Sequence, residues 1–357
     1  MKYIKLMKLD TVLFFGTLMF LGCSSPKQAV NAGEVTIERH EAEKRIDVMM
    51  NGSLFTSYMW PDAVFKPVLY PIVTAAGTEI TRGFPMKPRA GERADHPHHV
   101  GMWLNYGNVN GIDFWGNSYD IPEETRKKTG GTIKFVKVDD IREGPGTASM
   151  TTYASWKDPS GKELLAEKTQ FDFMDRDSLR IIDRITTLTA TSGNVNMPDT
   201  KEGMFAIRVA RQLELPSSEE LVLTDATGKP TTVKKMSNEG VSGNYRSSAG
   251  VTGEKVWGTR AVWMDLFGKI GSEDISVVIC DHPDNPGYPT WWHARGYGLF
   301  AANPLGAKDF TEGKEAVNFV IESGATASFR YRVIISSGKH LSDKEINSLA
   351  DDFAKKY

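Results

Sequence analysis

From Val35 onward, apolar residues recur at every second position: Val35/Ile37, Phe171/Phe173, Leu179/Ile181, Phe205/Ile207/Val209, Val277/Ile279 and Phe329/Tyr331/Val333/Ile335. Period two marks strands with one buried face. The intervening turn sequences (Asn51-Gly52, Asp158 to Gly161, Ser192 to Asn194, Gly271 to Asp274) suit hairpins better than the long crossovers of a parallel sheet. The pattern predicts an all-β fold, a large antiparallel β-sandwich. One helix is clearly written, at the C-terminus: Ser342 with Glu345 makes a capping box, and Ile346, Leu349, Ala350 and Phe353 form one apolar stripe. The run Glu123 to Lys128 reads as a solvated helical turn.

No Pro/Ser-rich linker and no solenoid or propeller repeat interrupts the chain, so residues 23–357 read as a single β-sandwich domain. Ser237 to Glu254, rich in Gly, Ser and Asn, reads as a mobile surface loop. Residues 1–22 read as a lipoprotein signal peptide. Lys2, Lys5 and Lys8 precede an apolar run, Thr11 to Leu21, too short to span a bilayer. Leu21-Gly22-Cys23-Ser24-Ser25 resembles a bacterial lipobox, with Phe20 where Leu is preferred. The expectation is an exported protein lipidated at Cys23 and anchored on the periplasmic side of a bacterial membrane.

The whole chain of 357 residues has 43 Lys+Arg against 45 Asp+Glu, a formal net charge of -2, which argues against a nucleic-acid partner. Two cysteines, Cys23 and Cys280, provide no disulfide framework, and Cys280 reads as a buried strand residue.

Chemistry is concentrated in three clusters. In the first, Asp95 to Asn105, three of the chain's seven histidines (His96, His98, His99) fall within four positions. A strand over 99–105 would put His99, Gly101, Trp103 and Asn105 on one polar-aromatic face, with Val100, Met102 and Leu104 inward. Asn110, Asp113 and Trp115 follow. The second cluster joins His282 and Asn285 to Trp291-Trp292-His293-Ala294-Arg295. Flat aromatic faces suit the C–H-rich faces of a pyranose, and Arg suits a carboxylate or hydroxyls. Of the adjacent tryptophans, one is expected in the core and one in the site. The third is Asp199 to Arg208, where Glu202 enters a strand predicted from Met204 to Leu215 and Arg208 faces its polar side.

These motifs, His96-Pro-His-His-Val-Gly-Met-Trp103, Asn110-Gly-Ile-Asp-Phe-Trp115, Lys201-Glu-Gly-Met-Phe-Ala-Ile-Arg208, Asp281 to Pro286, Trp292-His-Ala-Arg295 and Gly298 to Asn303, resemble the bacterial family called PmoA-like methane oxygenases. Val100 stands where that family has Arg. The membrane-embedded oxygenase invoked by that label needs several spanning helices, which this sequence lacks. The resemblance implies instead an exported protein of polysaccharide-degrading bacteria, with a galactose-mutarotase-like supersandwich.

The expected function is acid/base chemistry on a sugar or glycoside (epimerisation, elimination or hydrolysis), with His98, His99, Glu202 and His293 as acid/base candidates. His96, Trp103, Asn105, Asn110, Asp113, Trp115, Arg208, His282, Asn285, Trp292 and Arg295 are expected to bind the carbohydrate. The alternatives are a non-catalytic glycan-binding lipoprotein, or a metal enzyme ligated by His96, His98, His282 and His293. No cofactor is called for by the sequence, although the His-x-His pair permits a divalent metal. His96, His98, His99, Glu202, His282, His293 and Arg295 are expected to line one cleft.

Overall fold

A computed structural model describes residues 33–357, so the signal-peptide and Cys23 readings lie outside the described residues. Asn51 and Gly52 take φ of 56° and 73°, the left-handed backbone a tight hairpin turn requires. They join the second and third of four opening strands: β1 (Glu34–His40), β2 (Arg45–Met50), β3 (Ser53–Met59) and β4 (Val68–Ile72). After a long excursion come β5 (Met102–Tyr106) and a short exposed helix, α1 (Glu123–Thr129). A meander of long strands follows: β6 (Thr132–Pro145), β7 (Thr147–Lys157), β8 (Glu163–Arg176) and β9 (Leu179–Ala190). Next are β10 (Val195–Met197), β11 (Gly203–Arg208), β12 (Asn244–Ser247), β13 (Trp263–Ile270) and β14 (Glu273–Asp281). The chain closes with β15 (Trp291–Ala294), β16 (Leu299–Asn303), α2 (Ala307–Phe310), β17 (Phe319–Ile321), β18 (Thr326–Ser337) and α3 (Asp343–Lys356).

Sixteen strands hydrogen-bond in the order β12-β13-β14-β18-β9-β8-β7-β6-β1-β2-β3-β4-β5-β11-β16-β15, and β10 pairs with β17 separately. The pairings are antiparallel, as the hairpin turns predicted. The long sheet folds over on itself. Phe205 of β11 stacks on Tyr331 of β18 at 4.7 Å, and Phe55 of β3 meets Phe173 of β8 edge-on at 6.4 Å. Two layers thus share one core running from Val35 to Ile335, an all-β antiparallel sandwich.

The C-terminal helix covers an outer face. Its capping box forms as read, with Ser342 accepting from the Glu345 amide while the Glu345 carboxylate takes the Ser342 amide. Ile346 and Phe353 are buried against Met174, Ile181, Trp263, Val278 and Ile334, each contributing about 1.5–3 kcal/mol.

Three expectations need correction. Ser237 to Glu254 is not simply a loop, because β12 lies within it and pairs with β13; Tyr245 is fully buried, and its hydroxyl donates to the carbonyls of Arg295 or Leu299, both at 3.2 Å. The strand expected to begin at His99 begins at Met102. Gly101 takes φ of 58°, and a Cβ there would lie 2.2 Å from the Leu69 carbonyl oxygen, so the chain turns before pairing starts. The strand expected to reach Leu215 stops at Arg208 and gives way to a single 3-10 turn, Arg211–Leu213.

Candidate functional site

The strands β5, β11, β16 and β15 form one end of the long sheet. Their register places Trp103 opposite Ala206, Ala206 opposite Ala301, and Ala301 opposite His293. Four side chains therefore stand in one row on one face, large at both ends and small in the middle. The Trp115 ring occupies the space between, 5.3 Å from Trp103 and 6.4 Å from His293. Period two assigns the neighbouring residues to the other face. Met102, Leu104, Phe205, Ile207, Phe300, Ala302 and Trp292 pack into the main core.

That alternation corrects the Trp292 expectation. Its ring is completely buried and its indole N–H donates to the Ala261 carbonyl at 3.1 Å, whereas Trp291 is half-buried beside Phe310 and Arg260. The polar face is also far less open than expected, since all of β5 is buried. Val100, expected to face inward, joins Trp103, Trp115, Tyr70 and Leu299 in a second, smaller core on the site side.

Over this face lies the 95–99 turn. His96, at φ of 44°, stacks parallel on His99 at 4.9 Å and on Tyr297 at 5.1 Å. His98 meets His99 edge-on at 4.3 Å. Two buried guanidiniums hold the turn. Arg82 donates to the Asp95 carboxylate at 2.7 Å and to the His96 and His99 carbonyls at 2.8 and 3.1 Å. Arg208 donates to the same Asp95 oxygen at 2.7 Å and faces His99 Nδ1 at 3.2 Å. From below, the buried Lys66 ammonium donates to the His98 carbonyl at 2.6 Å and lies 5.1 Å from the Trp103 ring centroid.

The electrostatics follow from burial and from these cations. Burial, helped by Lys66, pushes His98 down to about 2, and burial drives His99 well below the usual histidine range. Burial alone would raise the Asp95 carboxyl, but Arg208, His96 and Arg82 hold it well below the usual carboxylate range. Lys66 is pushed down by burial to about 7. Because a guanidinium can only donate, His99 Nδ1 is the acceptor and its proton sits on Nε2, which is buried without a partner.

His293 presents the opposite tautomer. Its Nδ1 lies 2.7 Å from the Lys201 carbonyl oxygen, an acceptor only, so Nδ1 carries the proton and the lone pair is on Nε2. Burial holds the ring down at about 3, hence uncharged near neutrality. Asn303 fixes that carbonyl too, donating to Lys201 at 3.0 Å and to Thr200 at 2.8 Å. Glu202 follows in the same loop, partly exposed and 3.3 Å from the Lys201 ammonium. Arg295 continues the β15 face, its guanidinium 5.5 Å from the Trp257 ring and 5.8 Å from Tyr297. It lines a cavity of about 320 Å³ with Arg93, Glu254, Trp257 and Tyr297. A larger cavity, about 750 Å³, lies by α3 between residues of β6 to β9 and Arg332, on other chemistry.

The fold thus brings together His96, His98, His99, Trp103, Trp115, Arg208 and His293, with Glu202 and Arg295 at the border. Besides Trp292, five expected binders are committed elsewhere. His282 is buried edge-on against Phe353 of α3 at 5.1 Å and accepts the Asp284 amide. Asn285 spends its amide on Asp281, the Arg330 carbonyl and the Arg330 N–H. Asn110 sits in an exposed turn, bonded to Asn194 and Asn196. Asn105 is buried, accepting from the Trp103 indole and donating to the Phe114 carbonyl, so it positions Trp103. Asp113 is likewise a positioning group, its carboxylate accepting the amides of Trp115 and Gly116 at 2.8 Å. The four-histidine metal set is not assembled, because His282 belongs to the α3 cluster; among the described residues no three His, Cys, Asp or Glu side chains are placed to hold one ion.

Sequence reasoning missed Lys66, Arg82, Tyr297 and Asn303. Tyr297 stands two positions past Arg295 in the same aromatic motif and could have been chosen by it; Lys66 and Arg82 carry no local signal.

The chain belongs to the family of unknown function DUF6807, whose model matches residues 45–351. No curated protein matches it. Among solved structures it is similar to the galactosidase domain of the α-galactosidase–sucrose kinase AgaSK, at 10% identity and TM-score 0.37, over 85% of this chain and 41% of that one. The α-galactosidase AgaB from Geobacillus stearothermophilus gives 10% identity and TM-score 0.38 with the same coverages, 85% and 41%. A galactose mutarotase-like protein from Lactobacillus casei gives 8% identity and TM-score 0.32, over 84% of this chain and 99% of that one. The chain spans about two fifths of the length of those α-galactosidases.

Proposed function

We propose that this protein is a carbohydrate-active enzyme in which His293 moves a proton to and from a bound sugar. The observation that carries this reading is the 2.7 Å contact of His293 Nδ1 with the Lys201 carbonyl, which leaves a lone pair on Nε2 in an uncharged ring. A base must be unprotonated before it can act. The half-buried Trp257 ring beside Arg295 supports a pyranose as the ligand, placing aromatic surface next to a donor fork. His96 and Glu202 stand at the exposed border, where a second proton carrier is needed for chemistry that returns the proton to another atom. Epimerisation, elimination and glycoside hydrolysis all require that pair of roles.

The setting is read from the leader and the motifs. The lipobox-like Leu21-Gly22-Cys23 supports an exported, lipid-anchored protein on the periplasmic side, and the resemblance of its motifs to the PmoA-like family supports a place in polysaccharide utilisation. The test is turnover. Mono- and disaccharides, uronates and keto-sugars are incubated with the protein in deuterium oxide, and proton exchange, isomerisation or cleavage is followed by NMR. His293→Gln is expected to abolish the reaction while the circular dichroism spectrum is unchanged. Binding without turnover in the wild-type protein would instead identify a glycan-binding lipoprotein, and full activity of His293→Gln would remove His293 from the chemistry.

A further inference from the structure

We infer that the cavity beside Arg295 is a carboxylate subsite, and that the sugar this protein takes is a uronate whose carboxylate is held by the Arg295 guanidinium. The inference rests on His293 as the acid/base group and adds the class of substrate. Among the described residues the Arg295 guanidinium makes no ion pair; it lies against the Trp257 and Tyr297 rings, and the Glu254 carboxylate, also unpaired, lines the same cavity. The other arginine of the cavity, Arg93, is already engaged, donating to buried Glu214 at 2.7 Å and lying 3.8 Å from Glu219. Trp257 forms part of the same wall, its indole N–H buried behind the ring without a partner. A planar fork without an ion pair at a cavity suits an anionic acceptor, because it matches a carboxylate in two parallel bonds.

The strand geometry links this subsite to the base. His293 and Arg295 are two residues apart, and the Arg295 amide still donates to the Leu299 carbonyl at 2.8 Å, so the two side chains leave the same face about 7 Å apart. His293 lies outside the cavity lining, one residue before Ala294, so a sugar held by its carboxylate at Arg295 must extend along the strand face to reach His293. Tyr297 closes the arrangement, with Arg208 4.9 Å from its ring and His96 stacked on it.

In a uronate the acidic C–H is the one next to the carboxylate. His293 Nε2 takes that proton, and the C–H electron pair moves into the carboxylate as an enediolate whose charge Arg295 compensates. A proton returned to the opposite face inverts the carbon. Alternatively, the substituent on the next carbon leaves with its electron pair and is protonated, completing an elimination. Neither course needs an oxidant, a reductant or a co-reactant. An uncharged ring beside a cation is a weak base, and a substrate carboxylate that neutralises Arg295 raises its basicity on binding.

The experiment is calorimetric titration of the full chain with sodium D-galacturonate and D-glucuronate against D-galactose and D-glucose, followed by NMR in deuterium oxide. One uronate is expected to bind at least about tenfold more tightly than its neutral counterpart, and Arg295→Gln to erase that preference. Arg295→Lys, which keeps the charge and loses the fork, is expected to fall between, and also serves if the Gln variant fails to fold. Equal affinity for uronate and neutral sugar, no uronate binding, or an undiminished preference in both Arg295 variants overturns the subsite. The two readings fail separately. Uronate binding that depends on Arg295, without exchange of the proton next to the carboxylate, upholds the subsite and defeats His293 as base; exchange on neutral sugars that ignores Arg295 does the reverse.

Discussion

One carboxylate oxygen of Asp95 accepts from Arg208 at 2.7 Å, although the two residues lie 113 positions apart, and the same oxygen accepts from Arg82 at 2.7 Å. Both guanidiniums are completely buried, while the Asp95 side chain is one-third exposed. A single carboxylate thus anchors two cations under the histidine turn. The arrangement keeps the local potential positive, and Arg208 and Arg82 are among the charges that keep His98 and His99 neutral.

Replacing Asp95 with Asn keeps an acceptor but removes the one carboxylate that both buried cations touch. The expected cost is about 3 kcal/mol of unfolding free energy at pH 7, read from urea titrations. The sign with pH follows from linkage. The folded carboxyl titrates below its unfolded value, so its stabilisation is complete above the ordinary carboxylate range and is lost as pH falls beneath it. The wild-type protein is therefore expected to lose stability below about pH 4 more steeply than Asp95→Asn. Parallel curves for the two proteins would mean that Asp95 does not serve as the anchor.

Lys66 behaves in the opposite sense. Burial pushes it down to about 7 in the folded protein, while an unfolded lysine titrates near its ordinary value. Between these limits the unfolded chain binds a proton that the folded chain does not, so stability rises with pH from about 7 to about 9. Lys66→Met is expected to flatten that rise in urea midpoints measured across the window. Retention of the same slope in Lys66→Met would exclude Lys66 as its source.

How far the sequence reaches is visible in particular residues. Phe205/Ile207 and Phe329/Tyr331/Val333/Ile335 lie in strands as read, because period two reports a face and needs no partner. The capping box at Ser342 and Glu345 is local for the same reason. What period two cannot give is what covers the face. Arg208 reads as a residue on the polar side of its strand, yet it is fully buried, because Asp95 and the 95–99 turn come to it from more than a hundred positions away. Trp291 and Trp292 had to face opposite ways, but which faced the core depended on the register with β16. Asn285 and His282 carry the right chemistry and are consumed by Arg330 and Phe353, contacts that only the folded chain creates.

The small residues in the middle of the site row carry a prediction of their own. Ala206 and Ala301 lie between Trp103 and His293 and leave room for the Trp115 ring. Ala206→Leu adds volume to a fully buried position and is expected to cost about 1–3 kcal/mol and to displace Trp115. Thermal melts report the first effect and tryptophan fluorescence the second. An unchanged emission spectrum together with an unchanged melting temperature would show that the row has spare volume.

The leader reading makes a prediction that does not depend on the fold. If Cys23 is the lipidated residue, Cys23→Ser is expected to move the protein from the membrane fraction to the soluble exported fraction. Cell fractionation with immunodetection decides it, and an unaltered distribution would exclude the lipid anchor.

Asn303 offers the sharpest check on the base. Its amide donates to the Thr200 carbonyl at 2.8 Å and to the Lys201 carbonyl at 3.0 Å, and the latter oxygen is the one that receives His293 Nδ1. Its own oxygen accepts the Leu305 amide at 3.1 Å, so the side chain is fixed from both ends. Asn303 does not face Nε2, and its influence on His293 runs through that shared carbonyl. Asn303→Asp has nearly the same shape but, as a carboxylate, cannot donate; the Thr200 carbonyl loses its donor at a cost of about 1–3 kcal/mol, while the Lys201 carbonyl keeps the Gly203 amide and His293. Apart from His293, the Lys201 carbonyl is then held only by the Gly203 amide at 3.1 Å, the bias toward the Nδ1–H tautomer weakens, and the two ring nitrogens are expected to share the proton. The readout is the pair of ¹⁵N shifts of His293, which are expected to indicate one Nδ1–H tautomer in the wild-type protein and a mixture in Asn303→Asp. Asn303→Gln, which can still donate, is expected to restore part of the wild-type pattern. Identical ¹⁵N shifts in all three proteins would show that the carbonyl needs no help from Asn303 to orient His293.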